Sequence, residues 1–369
     1  MLLVFSRNVG LKTWEKVGNL SRELELYNNL VQKKIFKKIF FFTYDKNDVK
    51  FSEELKKKNI LSENIFILSP PLNLRISLLR DIFNVFYFLL IFMKISKEVK
   101  IIKTNQIDGS YLGVILKIIY KKKLYLRSGY NIIKRDKVLN FNYLKKKLNI
   151  LQFKFSLKYA DIISVSNFFD KRYYSLVFKK KTELIYNFIN TNLFYDYKKK
   201  RNNDFLYIGR ISNEKNIIKI IKVFKDNPKF NLHLYGDKKI NNKKYDLYKN
   251  VENIRFFSAI PNNSIPKLLN EYRFLILLSN FEGLSKTVIE GMGCGIFCIV
   301  SDLIENKFLI KKNINGYLLH KDENLDLNNI LEIEKNNTEY KAYNKKFVDN
   351  YFSFEKYIDR EIKVLNKIL

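Results

Sequence analysis

Two carboxylates eight positions apart, Glu282 and Glu290, are the residues of this chain with the clearest chemical potential. They follow the apolar run FLILLSN (274–280), which is typical of a buried parallel strand. A strand that feeds a loop and then a helix creates an anion site, because the first helical turn has unpaired backbone N–H groups and the positive end of the dipole. In that setting Glu282 can meet hydroxyls on the sugar side of a diphosphate, and Glu290 can accept hydrogen bonds from a ribose diol. Alternatively, both are ordinary surface acids at a helix start.

The loop between the two carboxylates has the composition of a strand-to-helix turn. Gly283 is expected to make a turn that a side chain would obstruct. Ser285 is predicted to cap a helix whose apolar positions, Val288, Ile289 and Met292, face a sheet. The two glutamates are therefore predicted to stand on either side of the helix start.

A second segment, DFLYIGRISNEKNIIKIIKVF (204–224), again combines a strand, a tight turn and a helix. Its helical part repeats apolar residues at the spacing of a packed face, from Ile217 to Phe224. Arg210 and Lys215 would project from the carboxyl end of the strand, where open α/β sheets bind ligands. A diphosphate suits them, because arginine offers a planar fork and lysine a point charge, and each charge-assisted hydrogen bond is worth about 1.5–3 kcal/mol. Alternatively, either is a solvated cation on the surface of a very basic chain.

Four further segments accompany these two motifs in the order ADIISVSNFF (160–169), IYNFINTNLF (185–194), NLHLYGD (231–237) and NIRFFSAIPNNSIPKLL (253–269). Together with GRISNEKN (209–216) and NFEGLSKTVIEGMGCG (280–295), they resemble the retaining nucleotide-sugar glycosyltransferases of glycosyltransferase family 4. The resemblance includes the phosphate-binding Gly-Arg and Glu-Lys pairs of that family and its Glu-x7-Glu signature. It covers the C-terminal half of the chain nearly continuously.

The resemblance implies an α/β fold of the GT-B type, in which two Rossmann-like domains face each other across a cleft. Residues 1–187 would bind the acceptor, residues 188–350 would bind the nucleotide sugar, and residues 351–369 would form a helix that crosses back to the first domain. A length of 369 residues suits two such domains. The polar tract INTNLFYDYKKKRNN (189–203) differs from its surroundings and marks the expected boundary.

The resemblance also implies roles for individual residues. Glu282, Arg210 and Lys215 would be catalytic, with Glu282 at the transferring sugar and the two cations at the diphosphate. Glu290 would hold the ribose. The remaining donor-binding positions would be Gly209, Gly283, Leu284, Ser285, Lys286, Thr287 and, from a loop of the first domain, Gly18. Alternatively, Gly18 only begins the helix that follows it.

The first domain departs from the family in one loop. Relatives commonly have a histidine there, whereas this chain has the stretch RSGY (127–130). Arg127 and Tyr130 are therefore candidates for the acceptor side, and a donor phosphate oxygen would take the proton of the acceptor. Nearer the amino terminus, RNVGLKTWEKVGNLSREL (7–24) lacks the G-x-G-x-x-G fingerprint, so no tightly bound nicotinamide or flavin nucleotide is expected. The helix after it is predicted to bury a face formed by Leu20, Leu24, Tyr27 and Val31.

Cysteine, histidine and acidic residues give no sign of a different catalytic centre. Cys294 and Cys298 are predicted to be small core residues in a reducing compartment. The two histidines, His233 and His320, have no evident partners for a Ser-His-Asp arrangement. No Asp-x-Asp follows a predicted strand, so side chains and the helix start are expected to neutralise the diphosphate without a metal. No cofactor is expected besides the nucleotide-sugar donor.

A formal net charge of +31 favours anionic partners, although coding bias toward lysine is an alternative explanation. The longest apolar stretch is DIFNVFYFLLIFMKI (81–95), and its uninterrupted part is too short to cross a bilayer, which takes about 20 residues. It is predicted to be a core or an interfacial helix. Basic clusters at 121–123 and 145–147 would suit anionic lipid headgroups or a lipid-linked acceptor.

The amino-terminal LLVFS (2–6) reads as a strand and not as a signal peptide. The expected location is the cytoplasm, with peripheral contact on the inner face of the cytoplasmic membrane. The predicted function is retaining, hexosyltransferase-type transfer from a nucleotide diphosphate sugar to a glycan or lipid-linked acceptor, in bacterial surface polysaccharide biosynthesis. The alternatives are an epimerase or phosphorylase of the same architecture and a basic nucleic-acid-binding protein. Zinc-ligand spacing and RNP-like aromatic runs are missing from the sequence, so no nucleic-acid partner is expected.

Overall fold

The structure is a computed structural model that describes residues 1–16, 18–71, 77–138, 142–236, 248 and 250–369. Asp237, the last residue of the segment NLHLYGD (231–237), lies outside the described residues. The side chain of Lys145, part of one basic cluster, also lies outside them. The chain divides into two compact units. The first comprises Met1–Ile132, Asn142–Ile185 and Ile358–Leu369, and the second comprises Ile133–Phe141 and Tyr186–Tyr357.

The first unit is built on a seven-stranded sheet. Its strands are β1 Leu2–Val4, β2 Ile39–Phe42, β3 Ile65–Leu68, β4 Ile101–Thr104, β5 Lys123–Ser128, β6 Ile162–Val165 and β7 Thr182–Leu184. They are ordered β3-β2-β1-β4-β5-β6-β7, and every pairing between them is parallel. Successive strands are therefore added on one side of β1 up to β3 and on its other side from β4 onward, so the strand order reverses between β1 and β4.

Helices connect these strands. Those before residue 180 are α1 Leu11–Lys16, α2 Leu20–Gln32, α3 Asp48–Lys57, α4 Ser77–Ile95, α5 Ser110–Tyr120, α6 Ile132–Val138, α7 Tyr143–Tyr159 and α8 Phe168–Val177. Helix α2 buries Leu20, Leu24 and Tyr27 as predicted, but the fourth position of its buried face is Leu30. Val31 is only partly covered, although it continues the helical face of Leu20, Leu24 and Tyr27.

The second unit has a six-stranded sheet of the same kind. Its strands are β8 Asn202–Ile208, β9 Leu232–Gly236, β10 Ile254–Ser258, β11 Tyr272–Leu277, β12 Phe297–Ser301 and β13 Gly316–Leu319. They are ordered β10-β9-β8-β11-β12-β13, with parallel pairing throughout. The described helices after β8 are α9 Ile217–Lys225, α10 Ile265–Glu271, α11 Lys286–Gly293, α12 Ile304–Leu309, α13 Leu327–Asn336, α14 Tyr340–Phe352 and α15 Phe354–Asn366.

The central strands β8 and β11 form the core of the second unit. The last four residues of each, 205–208 in β8 and 274–277 in β11, are a continuous buried apolar run, as expected for parallel strands that are covered on both faces. Phe205 of β8 stacks on Phe274 of β11 with ring centroids 4.7 Å apart, and both rings are fully buried. Burial of one such side chain stabilises the fold by about 1.5–3 kcal/mol. These contacts fix the two strands from which the candidate site projects.

The chain returns to the first unit at its carboxyl end. Ser353 lies at the start of α15, and its Oγ accepts a long hydrogen bond of 3.5 Å from the backbone N–H of Lys356. Within the first unit, the buried Glu361 of α15 accepts hydrogen bonds from Lys103 Nζ at 2.5 Å and from Tyr125 Oη at 3.0 Å. Residues 358–369 are thereby tied to strands β4 and β5.

Candidate active site

The candidate site lies where strands β8 and β11 end side by side in the second sheet. The strand order reverses between these two neighbours, because the chain moves outward to β9 and β10 and then returns to β11. Open α/β sheets bind ligands beyond the carboxyl ends of the strands at such a switch point. These two strands are followed by loops 209–216 and 278–285, which contain most of the candidate residues predicted from the sequence.

Gly209 makes the first turn after β8. Its φ is +156°, and a Cβ placed there would meet the Tyr207 Oη at 2.8 Å. That hydroxyl donates a hydrogen bond of 2.7 Å to the carbonyl oxygen of Arg210, so it is held in place. Gly236 at the end of β9 is equally tight, because its Cβ would lie 2.4 Å from the Gly209 carbonyl oxygen. The backbone therefore turns sharply at this edge only because both positions lack side chains.

The two cations of this loop have different surroundings. Arg210 is 77% exposed and lies 3.4 Å from the Glu214 carboxylate. Lys215, in a short 3-10 turn from Asn213 to Lys215, is mostly covered and donates a 2.5 Å hydrogen bond to Glu282 Oε1. An ammonium has three donors, so the contact with Glu282 leaves Lys215 able to bind further oxygens.

Glu282 is held by two donors from the ends of both strands. Its Oε1 accepts from Lys215 and also from Ser279 Oγ at 2.7 Å. The Ser279 carbonyl oxygen in turn accepts from Ser301 Oγ at 2.7 Å. Ser279 was not among the residues predicted from the sequence, although it is the first polar residue after β11 and stands three positions before the glutamate. Its bond orients the carboxylate toward the loop of Lys215.

Backbone contacts join the two loops directly. The Asn280 N–H donates to the Glu214 carbonyl oxygen at 2.8 Å, and the Asn280 Nδ2 lies 3.4 Å from the Asn213 carbonyl oxygen. Because these bonds cross from one loop to the other, the cations after β8 and the carboxylate after β11 keep a defined separation.

The start of α11 corrects two expectations. Ser285 is the residue before the helix, but its hydroxyl accepts no hydrogen bond from the first helical turn; its carbonyl oxygen accepts from the Ile289 N–H at 3.2 Å. Gly283 does not have a positive φ, so the turn does not depend on a conformation that a side chain would forbid. The N–H groups of Lys286 and Thr287 therefore begin the helix without a cap from the Ser285 side chain.

Glu290 lies inside α11 with its side chain 3% exposed. Lys286 Nζ is 2.9 Å from its Oε1 as an ion pair one turn away. The same Oε1 accepts no hydrogen bond of regular geometry from any residue that the structure describes. The alternative that both glutamates are ordinary surface acids is therefore wrong, because Glu290 is buried and Glu282 is 11% exposed.

The remaining candidates belong to the first unit. Gly18 has a φ of +70° and lies between α1 and α2, where its N–H donates to the Glu15 carbonyl oxygen at 2.9 Å. It therefore ends α1, a short helix that the sequence analysis did not predict. Arg127 lies 3.6 Å from the Glu23 carboxylate, and the Tyr130 carbonyl oxygen accepts from Ser128 Oγ at 3.0 Å.

An internal carboxylate occupies the helix start in the first unit. Asp48 accepts hydrogen bonds from the N–H groups of Leu11 at 2.9 Å and Lys12 at 3.3 Å. A Cβ on Gly10 would lie 2.3 Å from Asp48 Oδ2, so glycine is required for the approach. Burial raises the pKa of Asp48 above its ordinary value, and these hydrogen bonds partly oppose the rise.

Cysteines and histidines lie apart from the two loops of the site. Cys294 and Cys298 are buried free thiols, and burial raises the pKa of both, which confirms them as core residues. His320, expected to lack a partner, has its Nδ1 2.6 Å from Asp302 Oδ2. His233 Nδ1 lies 2.7 Å from the Tyr272 hydroxyl. Across the described ranges, no group of three or more His, Cys, Asp and Glu side chains is arranged to hold a metal ion.

The fold and a family match both bear on the class of protein. Residues 190–347 match the family described as Glycosyl transferases group 1. The two parallel-sheet, Rossmann-like α/β domains match GT-B glycosyltransferase structures, which confirms the predicted fold class. The group 1 domain and the fold together support a glycosyltransferase. Among the described helices, none is both long enough and apolar enough to cross a membrane.

Individual proteins are similar to this chain in sequence or in fold. An uncharacterized 41.2 kDa protein in the cps region of Klebsiella pneumoniae is 22% identical over 284 residues, which cover 69% of this chain and 77% of that protein. The sucrose-phosphate synthase of Thermosynechococcus elongatus superposes with a TM-score of 0.80 at 15% identity, covering 100% of this chain and 98% of that one. The Anabaena protein HepE, solved in complex with UDP-glucose, superposes with a TM-score of 0.74 at 15% identity, covering 100% of both chains.

Proposed function

We propose that this chain transfers a sugar from a nucleoside diphosphate sugar to a glycan or lipid-linked acceptor, with retention of the anomeric configuration. The observation that carries the proposal is the buried Glu290, whose Oε1 lies 2.9 Å from Lys286 Nζ as an ion pair but accepts no regular hydrogen bond from the described residues. A buried carboxylate that lacks regular hydrogen bonds leaves part of the cost of its removal from water uncompensated. A ribose diol would supply two hydroxyl donors to this carboxylate.

The diphosphate is assigned to Arg210, Lys215 and the start of α11. Arg210 extends into solvent with its guanidinium fork available to phosphate oxygens. Lys215 would bind through donors that its contact with Glu282 does not use. The N–H groups of Lys286 and Thr287 begin the helix without a cap from Ser285, which favours an anion at this position.

The transferring sugar is assigned to Glu282. Ser279 and Lys215 hold one oxygen of this carboxylate, so the other oxygen can accept hydrogen bonds from sugar hydroxyls. This arrangement would place the sugar next to the group that binds its phosphate, as the transfer requires. Gly209 would let the donor phosphates approach the backbone after β8, and Leu284 and Gly283 would line the opposite side.

The proposed reaction breaks the bond between the anomeric carbon and the diphosphate oxygen. The acceptor oxygen bonds to the same carbon from the same face, and the departing diphosphate oxygen takes the acceptor proton. Arg210, Lys215 and the helix start stabilise the negative charge that develops on the leaving group. The Glu-x7-Glu spacing shared with retaining enzymes of family 4 supports retention, and no step calls on a metal ion.

The biological context rests on two relatives. The similarity to a protein in a cps region supports a role in polysaccharide biosynthesis. The similarity to HepE, whose complex contains UDP-glucose, supports a hexose donor on a nucleoside diphosphate. We place the reaction in the cytoplasm, with the chain peripheral on the inner face of the cytoplasmic membrane, where a lipid-linked acceptor would be available.

A panel of nucleotide sugars and free nucleoside diphosphates tests donor binding through thermal stabilisation. A ligand at 100 times its dissociation constant adds about 2.7 kcal/mol to the free energy of unfolding, which raises the melting temperature by several degrees. No shift with any member of the panel would contradict the donor site. With a stabilising donor, product analysis by NMR should show an elongated acceptor with the donor's α-linkage, formed also in excess chelator. An epimerised donor, a sugar phosphate or an inverted linkage would each reject the proposed reaction.

A further inference from the structure

Three neighbouring helices of the first unit, α4, α5 and α7, leave large apolar side chains in solvent. Among the residues that the structure describes, 23 large hydrophobic side chains are exposed, and 12 of them belong to these three helices. Isolated exposed hydrophobic residues are ordinary, but a contiguous apolar surface marks an interaction site. The exposed apolar side chains of these three helices therefore indicate an interaction site.

Helix α4 has two apolar faces. Phe88 and Phe92 are fully buried against the first sheet. The exposed side chains, which are spaced three or four residues apart along one face, are Leu79, Ile82, Phe86, Leu90 and Met93. The sequence left open whether this stretch is a core or an interfacial helix. Its inner face is core, and its outer face is as apolar as that of an interfacial helix.

Helix α7 repeats the arrangement. Phe153 and Leu157 are buried, whereas an outer stripe at helical spacing consists of Leu144, Leu148, Leu151 and Phe155. The exposed fractions in this stripe run from 41% for Phe155 to 65% for Leu144. Two neighbouring helices thus both have an exposed apolar stripe opposite their buried face. This repetition indicates that the exposed stripes have a common function.

The three helices lie side by side on one face of the sheet. Tyr120 at the end of α5 donates to the Leu89 carbonyl oxygen of α4 at 3.0 Å. Ser110 Oγ of α5 and Ser156 Oγ of α7 are 2.6 Å apart. The connections β3 to β4, β4 to β5 and β5 to β6 all advance in the same direction across the sheet, so right-handed crossovers place all three helices on one side. The exposed apolar side chains of α4 and α7, with Ile118 and Ile119 of α5 between them, therefore lie on the same side of the sheet, and we call this face the α4–α5–α7 surface.

The charge on this surface is almost entirely positive. The three helices contain eight lysine and arginine residues and one acidic residue, Asp81. Asp81 is already paired with Arg7 at 3.4 Å, and of the eight cations Lys117 is paired with Asp161, the residue before β6. Exposed lysines border both stripes, at Lys94 on α4 and at Lys147 and Lys154 on α7. The surface thus combines apolar side chains with cations that have few acids to neutralise them.

We propose that the α4–α5–α7 surface docks on an anionic membrane, with the apolar stripes inserted among the headgroups and the lysines at the level of the lipid phosphates. Leucine and phenylalanine beside lysine are the composition of helices that lie in a membrane interface. Lysine stems can cover apolar surface while their ammonium groups reach the phosphates. The proposal deepens the proposed function, on which it rests for the place of the acceptor, by naming the surface that would bring the chain to it.

Two other partners fit the surface less well. A second copy of this chain would also carry a net charge of +31, so pairing the same face would bring like charges together. The buried centre of a protein interface is depleted of lysine, whereas here lysines border both stripes. The membrane is the partner for which both the apolar and the charged features are favourable.

Sedimentation of the purified full chain with vesicles tests the proposal. Vesicles of equal parts phosphatidylglycerol and phosphatidylcholine should bind the chain, and vesicles of phosphatidylcholine alone should bind it at least tenfold more weakly. Binding should weaken as salt rises, because screening at physiological ionic strength limits attraction to about 8 Å. Equal binding to both vesicle types, or none to either, would overturn the proposal.

Variants separate the two contributions. The double substitutions Phe86→Ser/Leu90→Ser and Leu148→Ser/Leu151→Ser should each lower anionic-vesicle binding about tenfold or more. Lys147→Glu/Lys154→Glu should remove most of the salt-sensitive part of the binding to anionic vesicles. The matched control is Ile304→Ser/Ile314→Ser, which changes two exposed isoleucines of the second unit and should bind like the parent. Parental binding by both apolar variants would show that the stripes do not insert.

Two further measurements identify the partner and keep this inference apart from the donor site. Light scattering of the parent without lipid should show a particle mass that Phe86→Ser/Leu90→Ser leaves unchanged. A dimer that this variant splits would mean that a second copy covers the surface, and the membrane proposal would be wrong. Nucleotide-sugar stabilisation should be unaffected by the stripe variants. Vesicle binding without any donor stabilisation would leave the docking surface standing and reject the proposed function.

Discussion

The two compact units have the same kind of parallel sheet with the same reversal of strand order, but they use the helix start beside it in opposite ways. In the first unit, the Asp48 carboxylate accepts hydrogen bonds from two backbone N–H groups at the start of α1. In the second, Ser285 leaves the first turn of α11 without a side-chain cap, and Lys215 and Glu282 lie beside it.

The difference shows that the same sheet architecture can leave the helix start available to a ligand in one unit and occupied by a side chain in the other. A helix start attracts anions because of its unpaired N–H groups and its dipole. Once an internal carboxylate has taken those donors, a phosphate can bind only by displacing it. The outer surfaces differ as well, because 18 of the 23 exposed large hydrophobic residues in the described ranges lie in the first unit.

Loss of Lys215 should have the largest effect on the open site. Lys215→Ala removes a cation from the diphosphate and the partner of Glu282, so transfer should fall about 100- to 1,000-fold, which is typical for removal of one group that stabilises transition-state charge. Steady-state kinetics with the stabilising donor would measure this. Lys222→Ala, on the exposed side of α9, is the matched control and should keep parental activity. A Lys215 variant that is as active as the control would refute the assignment.

Glu290 should affect nucleotide affinity more than the rate of transfer. Glu290→Gln weakens a charge-assisted hydrogen bond to ribose, worth about 1.5–3 kcal/mol, so the dissociation constant of the nucleoside diphosphate should rise roughly 10- to 100-fold. Calorimetric titration would measure the change, with the exposed Glu332→Gln as control. Equal affinity in parent and Glu290→Gln would mean that the buried carboxylate is structural.

Loss of the Asp48 carboxylate at the start of α1 should lower the stability of the fold but not its activity. Asp48→Ala removes the acceptor of two backbone N–H groups, and a lost cap of this kind lowers the free energy of unfolding by about 0.5–2 kcal/mol. Urea denaturation would measure the loss. Nucleotide binding at saturating ligand should be unchanged, since Asp48 lies in the other unit. A stability equal to that of the parent would show that α1 does not depend on this carboxylate.

The pH dependence of the same residue has a definite sign. Burial raises the pKa of Asp48, so the folded chain holds this proton more tightly than the unfolded chain does. The resulting stabilisation is fully present below the unfolded pKa of about 3.9 and is lost as pH rises through the folded pKa. The parent should therefore lose stability relative to Asp48→Asn as pH rises across this range. A parent that gains stability relative to Asp48→Asn as pH rises would contradict the direction of the shift.

Ser285 should show the smallest effect. Because its hydroxyl accepts no bond from the first turn of α11, Ser285→Ala should change the free energy of unfolding by no more than about 0.5 kcal/mol. The same urea experiment applies. A loss as large as that of Asp48→Ala would mean that the two helix starts are capped alike, and the contrast between the units would disappear.

The predictable parts of this fold are those that short-range patterns control. The apolar runs of β8 and β11, followed by glycine and charged residues, were enough to predict strand, loop and helix in the second unit. The contact between Lys215 and Glu282 joins residues 67 positions apart, so neither local spacing nor composition could predict it. Asp48 lies 37 residues from the helix that it caps, and the same reason applies.

Two other features were hidden by the patterns themselves. Helix α4 is apolar on both faces, so periodicity could not tell its buried side from its exposed side. Ser285 has the residue type and position of a helix cap, and only the hydroxyl geometry shows that it does not act as one. Side-chain chemistry thus predicted where the loops would be, while the hydrogen bonds within them depended on the folded geometry.

The buried pair of Lys103 and Glu361 affects the order in which the chain can fold during synthesis. Burial lowers the pKa of Lys103, and an unpaired charge in such a position costs about 3–5 kcal/mol. A ribosome makes Lys103 early, but its partner emerges only after the whole second unit, Tyr186–Tyr357, has been translated. The first unit therefore cannot pair its buried lysine until residue 361 has been made, which is after the residues of the second unit.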